Sequence, residues 1–220
     1  GFNFGYADKN DNIFYISNGI IPVRNKKYNW RGVIPGNTRE TLWIDYHSTE
    51  DLPQVLNPES GFLYNANNTP FKSTAENENP NSEDFPKEMG YSTYDNNRST
   101  RILELIESYD RIDFSDFKSI KFDYKYPTPF NFNFVDVNEI MEMHPEDYPD
   151  ISDLIIEIQN WDRSTNSDSI GAGIFAMFYY NLGNYIRKPY INRKLSNNLI
   201  AQMLRDVKAY MVKYFNKTNV

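Results

Sequence analysis

The sequence predicts an α+β fold, with strands gathered at the front of the chain and helices at the back. Three observations carry this. Residues 1–66 alternate apolar and polar side chains between turn signals. From about residue 99 the apolar spacing lengthens to that of a helix. Between the two lies a stretch dominated by Asn, Glu, Ser and Pro that suits neither. The chain therefore divides into 1–70, strands and loop; 71–97, a polar loop or insert; and 98–220, a helical region.

Taken in order, Phe2, Phe4 and Tyr6 alternate, Asp8-Lys9-Asn10-Asp11 turns the chain, and Ile13 to Ile16 run back, which is a hairpin. Asn18-Gly19 is a further turn, and Thr41 to Tyr46 reads as a third strand. Residues 72–97 read as a flexible surface excursion. Ile102, Leu105, Ile106 and Tyr109 then share one helix face, and Ser115 reads as the N-cap of a following helix. A second stripe is Ile151, Leu154, Ile155, Ile158 and Trp161. Residues 167–182 are helical and apolar nearly all round (Ile174, Phe175, Met177, Phe178, Tyr179), as a buried helix is. Leu195, Leu199, Met203, Val207, Tyr210 and Tyr214 make the last stripe, while Pro127, Pro129, Pro145 and Pro149 break the middle into short helices. Strands are thus expected mainly within 1–66 and helices over 99–216.

Composition narrows the function. At 220 residues the chain suits one large or two small domains. A net charge of −7, with no more than two consecutive Lys or Arg, argues against nucleic acid as a partner, because phosphate binding needs a basic face. No apolar run approaches the roughly 20 residues of a membrane span, and the start carries no signal-peptide pattern. The absence of cysteine excludes disulfides, thiolate metal sites and thiol nucleophiles. The aromatic content of 16% accompanies enrichment in Asn, Lys and Ile, the signature of an AT-rich genome rather than of a stacking surface.

Several patterns carry no chemistry. Ser115-Asp116-Phe117-Lys118 has the Ser-x-x-Lys spacing of acyl-serine enzymes but none of the accompanying signatures. There is no Gly-x-Ser-x-Gly, no phosphate-binding Gly loop and no His-Glu-x-x-His, and His47 and His144 stand far apart in sequence. Asp8 to Asn12 begins like a calcium loop, yet Ile13 replaces the required Gly and the closing Glu is missing.

The informative stretch is Leu52 to Thr69, 18 residues with two Pro, one Gly, four Asn and almost no charge. Pro fixes φ, Gly permits positive φ, and Asn tolerates the left-handed region, so this is a shaped loop. Side-chain amides on such a loop suit donation to a developing oxyanion. The run Leu52-Pro53-Gln54-Val55-Leu56-Asn57-Pro58, with Gly61, Asn65-Ala66-Asn67-Asn68 and Pro70, resembles the penicillin acylase family of N-terminal nucleophile hydrolases. Phe4-Gly5-Tyr6-Ala7-Asp8 with Asn12-Ile13, Pro22, Pro35-Gly36, Trp43, Arg98-Ser99-Thr100-Arg101-Ile102, and Trp161-Asp162 with Ser169 and Ala172 are similar to that family's markers in the same order. Asp45 stands where the family has the Gly of Trp-x-Gly, Arg163 replaces the Gly of Trp-Asp-Gly, and 71–95 matches nothing alignable.

The resemblance implies the strand-rich N-terminal part of an Ntn-hydrolase sheet followed by helices, as an internal fragment of the β chain. It implies a parent that hydrolyses a linear N-acyl amide through an acyl-serine intermediate. The nucleophile, an N-terminal Ser whose own α-amine is the base, would lie upstream, since Gly1 is not Ser. It assigns Asn67 as the oxyanion donor and Arg101 as the orienting arginine of the next helix, with Arg98 the weaker candidate. The implied partners are the remaining α and β chain segments of the same precursor and a small N-acyl substrate; no cofactor is expected within this fragment, and the parent has room for a structural calcium for which the residues here offer no ligand set. The implied compartment is periplasmic or secreted. The competing class is a non-catalytic ligand- or glycan-binding module built on exposed aromatic and amide side chains.

Overall fold

The computed structural model describes residues 1–185 and 193–215. These form two compact units, Gly1–Asp95 and Asn96–Val220, so that 71–95 groups with the strands. The class is α+β, as expected.

In the first unit, β1 (Phe2–Ala7), β2 (Ile13–Asn18) and β3 (Gln54–Leu56) make an antiparallel sheet in that order. Phe2 pairs with Asn18 and Ala7 with Ile13, so the turn is Asp8 to Asn12. Its chemistry is local. The Asp8 carboxylate accepts from the Asn10 and Asn12 backbone N–H and from the Asn12 amide. The Asn12 side-chain bond leads the effects that hold Asp8 below the usual carboxylate range. Asp11 takes the positive φ of 63°. A small core of Ile16, Leu52 and Met89 lies beneath, flanked by half-buried Phe14, Ile21, Phe85 and Tyr91.

Two expectations fail here. The third strand is Gln54–Leu56, not Thr41 to Tyr46. Arg39–Thr41 is a 3-10 turn capped by Thr38, Leu42 to Ile44 are exposed, and pairing shrinks to a single bridge between Pro22 and Tyr46. That bridge rests on two bonds, Val23 N–H to the Asp45 carbonyl and His47 N–H to the Ile21 carbonyl, each 2.9 Å. Nor is 72–97 a loose excursion. It contains 3-10 turns at Glu76–Glu78, Ser82–Asp84 and Lys87–Met89, and it buries Ser73, Thr74 and Met89. Phe71 contacts Phe85 at 5.5 Å and Tyr91 at 6.2 Å between ring centres.

The second unit is helical. Its α1 (Asn97–Glu107) starts where Asn96 accepts from the Arg98 and Ser99 N–H in a reciprocal box. The next helix, α2 (Phe114–Lys121), is capped by Asp113 with Asp116 returning the bond, so Ser115 is inside the first turn rather than its N-cap. A carboxylate already fills the capping position. The core is closed by α3 (Ser152–Asn160), α4 (Ile170–Tyr185) and α5 (Asn197–Phe215). All five residues of the Ile151–Trp161 stripe are buried, as are Ile174, Phe175 and Phe178, but Met177 is half-buried and Ile170, Tyr179 and Tyr180 are exposed, so α4 is buried on one face and not all round. Of the last stripe, Leu195, just before α5, and Met203 and Val207 on it are buried and Leu199 is half-buried, but Tyr210 and Tyr214 are exposed, and Ile200, Ala201 and Leu204 complete the buried face instead. Two-residue strands Val135–Asp136 (β4) and Arg193–Lys194 (β5) pair in parallel, outside the region where strands were expected. The expected end of the helical region at Asn216 lies outside the described residues.

Candidate functional site

The Asn-rich loop leaves β3 and is pinned to the hairpin from its first residue. Asn57, at φ 47°, accepts the Ile13 N–H through Oδ1 at 2.8 Å and donates through Nδ2 to Asn12 Oδ1 at 2.9 Å. Gly61, at φ 73°, closes a turn on the Pro58 carbonyl. The Ser60 N–H reaches the Glu78 carboxylate at 3.1 Å, and the Ser60 hydroxyl pairs with that of Thr74. The Ser60 side chain leads the effects that hold the Glu78 carboxyl below its usual range, with the Ser60 and Glu59 N–H groups adding to it against burial.

At the far end the amides organise themselves. Asn67 is exposed at φ 57°, between buried Ala66 and Asn68. Its backbone N–H donates to Asn65 Oδ1 at 3.0 Å. Asn68 Oδ1 accepts the Ala66 N–H at 2.7 Å, while its Nδ2 donates to the Lys72 and Thr69 carbonyls. The Thr69 hydroxyl donates to the Ser92 carbonyl at 2.6 Å. Behind the loop, Asn79 accepts from the Ser73 and Thr74 N–H and donates to the carbonyls of Thr74, Ala75 and Glu76. The polar insert is thus the wall that holds the loop. The sequence signalled Asn67; Asn65, Asn68 and Asn79 were visible only as turn formers, because their partners come from residues whose contacts no periodicity encodes.

Arg101 lies in the second unit, on α1. Its Nε and Nη2 grip Asp123 at 2.8 and 3.1 Å, and Nη1 reaches Glu104 at 3.2 Å. Burial pushes the Asp123 carboxyl up, but the hydrogen bonds from Arg101 and the Lys125 N–H, with the charges of both residues, outweigh it and hold it below its usual range. Arg98, in the first turn of the same helix, is exposed. Each residue is placed by its own unit.

Among the described residues no group of three or more His, Cys, Asp or Glu is placed to hold a metal ion. No described helix is long and apolar enough to cross a membrane. A cleft of about 610 Å³ in the first unit is lined by Arg24, Tyr28, Trp30, Phe71, Phe85 and Tyr91 among others. Arg24 is a clip there: its Nη1 donates to the Glu88 carbonyl at 2.6 Å and its guanidinium sits near the Trp30 and Trp43 rings.

A family profile described as penicillin amidase matches residues 1–219. The chain belongs to the penicillin amidase family. Over 70 residues it is 40% identical to penicillin G acylase from Escherichia coli, a stretch covering 32% of this chain and 8% of that protein. The solved thermostable penicillin G acylase from Alcaligenes faecalis superposes with a TM-score of 0.59 at 14% identity, covering 98% of this chain and 47% of that one. The chain therefore spans about half the length of this solved relative, and the likeness is one of fold.

Within this penicillin amidase fold the Trp161-Asp162 motif is architectural. Trp161 Nε1 donates to the Ser164 carbonyl at 2.7 Å, and Asp162 accepts the Ser164 N–H and the Lys125 ammonium. Arg163, where the resemblance places Gly, keeps a glycine-like φ of 64°. Its guanidinium donates to the Pro127 carbonyl at 2.6 Å and lies 4.3 Å from the Phe130 ring centre. Ser169 accepts the Ala172 N–H, capping α4.

Proposed function

We propose that this chain is part of an N-acyl amidohydrolase of the penicillin amidase family, hydrolysing a linear amide through an acyl-serine intermediate whose nucleophilic serine belongs to a segment upstream of Gly1. Asn67 is the oxyanion donor. The single observation carrying this is an exposed, left-handed Asn67 whose backbone is fixed by neighbouring amides in the loop that carries the family's Asn-x-Asn-Asn run. A donor whose backbone is held in place before the reaction loses less to reorganisation as negative charge develops, which is where such groups gain their effect.

Arg101 enters as the orienting arginine. Its two-point grip on Asp123 makes it a rigid cation on α1 rather than a mobile surface charge. The remaining chains of the precursor supply the nucleophile and most of the acyl pocket, the substrate is a small N-acyl compound, and the compartment is periplasmic or secreted. The 220-residue chain alone is inactive, because binding cannot replace a missing nucleophile.

The test is Asn67→Ala in the full-length parent. Loss of one oxyanion donor lowers kcat by roughly 10²–10³-fold with KM little changed. An unchanged kcat with a stability loss of about 1 kcal/mol, the typical net worth of one hydrogen bond, would make Asn67 a turn former and remove the basis of the assignment.

A further inference from the structure

We infer that Asn3 and Asn65 form a relay from the sheet edge to Asn67, and that both are positioning residues for the reaction proposed above, on whose reading of Asn67 this rests. Asn65 Oδ1 has two lone pairs. One accepts the Asn67 backbone N–H at 3.0 Å, and the other accepts Asn3 Nδ2 at 3.0 Å. The same Asn3 amide also approaches the Asn68 carbonyl at 3.5 Å. It thereby reaches both sides of Asn67 in sequence.

The physical argument follows from what each residue can do alone. Asn tolerates the left-handed conformation but does not by itself hold it, so a fixed φ at Asn67 needs restraints from its surroundings. Asn65 supplies one restraint by closing an Asx turn on the Asn67 N–H. But Asn65 is itself exposed, and an exposed amide on a loop has rotamer freedom. Asn3 removes that freedom. It sits in β1, opposite Ser17 of β2, in a ladder that runs from Phe2 to Ala7. The sheet therefore fixes Asn3, Asn3 fixes the Asn65 side chain, and Asn65 fixes the backbone of Asn67. The distance in sequence from Asn3 to Asn65 is 62 residues, so no local turn preference could do the same. A donor displaced by a fraction of an ångström from its productive position loses much of its effect on rate.

Two measurements test this. In the 220-residue chain, Asn3→Ala should speed amide hydrogen exchange at Asn67 by about tenfold, as expected for loss of one hydrogen bond's worth of protection, while the Tyr15 amide in β2 stays protected and shows the hairpin intact. In the full-length parent, Asn3→Ala and Asn65→Ala should each lower kcat by about tenfold with KM within about twofold, and the double variant should be no worse than either, because both act through one chain of contacts. Asn65→Ser, which keeps an acceptor for the Asn67 N–H, should recover part of the loss. Unchanged exchange at Asn67 in Asn3→Ala overturns the relay whatever happens to activity. Faster exchange combined with an Asn67→Ala variant of unchanged kcat overturns instead the oxyanion reading, and with it the positioning role. A general loss of protection that includes Tyr15 would make Asn3 a residue of the hairpin alone.

Discussion

Replacing Gly171 by alanine should unfold the helical unit more easily, and the structure gives the sign and the size. Gly171 lies in the first turn of α4, buried against the end of α3. An ideal Cβ there would stand 2.5 Å from Trp161 Cβ and 2.6 Å from its Cγ, so the indole or the helix must move. Overpacking of this kind costs about 1–3 kcal/mol. Moving the indole also endangers its 2.7 Å bond to the Ser164 carbonyl, worth about 1 kcal/mol. Against this stands a gain of about 0.5–1 kcal/mol for alanine over glycine in a helix. The net is a loss of about 1–3 kcal/mol, or on the order of 1 M in urea midpoint for a typical slope. Gly173, two residues on in the same helix, is the control. A Cβ there meets nothing within 4 Å, so Gly173→Ala should stabilise by about 0.5–1 kcal/mol. Helical circular dichroism reports the right unit, since α1 to α5 all lie after residue 95. If Gly171→Ala proved as stable as Gly173→Ala, the close approach of Trp161 would be wrong, and so would the architectural reading of the Trp-Asp motif.

Further outcomes follow from named contacts. Asp123 has a carboxyl pKa held below its ordinary 3.8, so the stability it contributes is present above the unfolded carboxylate value and is lost as pH falls through the lower folded one. Acid titration of helicity should therefore show a loss below about pH 4 that Asp123→Asn flattens. Arg163→Gly relieves a left-handed backbone worth about 1–2 kcal/mol while losing the Phe130 and Pro127 contacts, whereas Arg163→Ala loses those contacts and keeps the strain. The glycine variant should thus be the more stable of the two by about 1 kcal/mol in urea unfolding, and the reverse order would refute the strain argument. Asn79→Ala leaves the N–H groups of Ser73 and Thr74 without their acceptor and should cost the first unit about 2 kcal/mol, with new proteolysis between 72 and 80. A protease pattern identical to the unsubstituted chain would return that segment to the status of a passive loop.

What the sequence determined by itself is what local chemistry encodes. Apolar spacing marked α3 and α4 because a buried helix face must be apolar wherever the helix packs, and alternation between turn signals marked the β1–β2 hairpin, although Phe2, Phe4 and Tyr6 are exposed and β2 buries the consecutive Tyr15, Ile16 and Ser17. The Pro, Gly and Asn content marked a shaped loop, which holds from Asn57 to Thr69 but not at Gln54–Leu56, the strand β3, and positive φ at Asn57, Gly61 and Asn67 is the conformation those residues make cheap. The order of its motifs was enough to indicate the penicillin amidase family. Tertiary structure alone decided the rest. Thr41 to Tyr46 has the composition of a strand, but its only described bridge partner is a proline, and a strand exists only when a neighbour supplies the ladder. The insert looked unstructured because its order comes from side-chain amides bonding backbone across several turns, which leaves no period to read. The same holds at the candidate site. Asn67 could be found from its motif, but that its backbone is tied through Asn65 to Asn3 depends on the loop and strand β1 meeting in space, and a hydrogen bond between distant residues leaves no trace in the spacing of either.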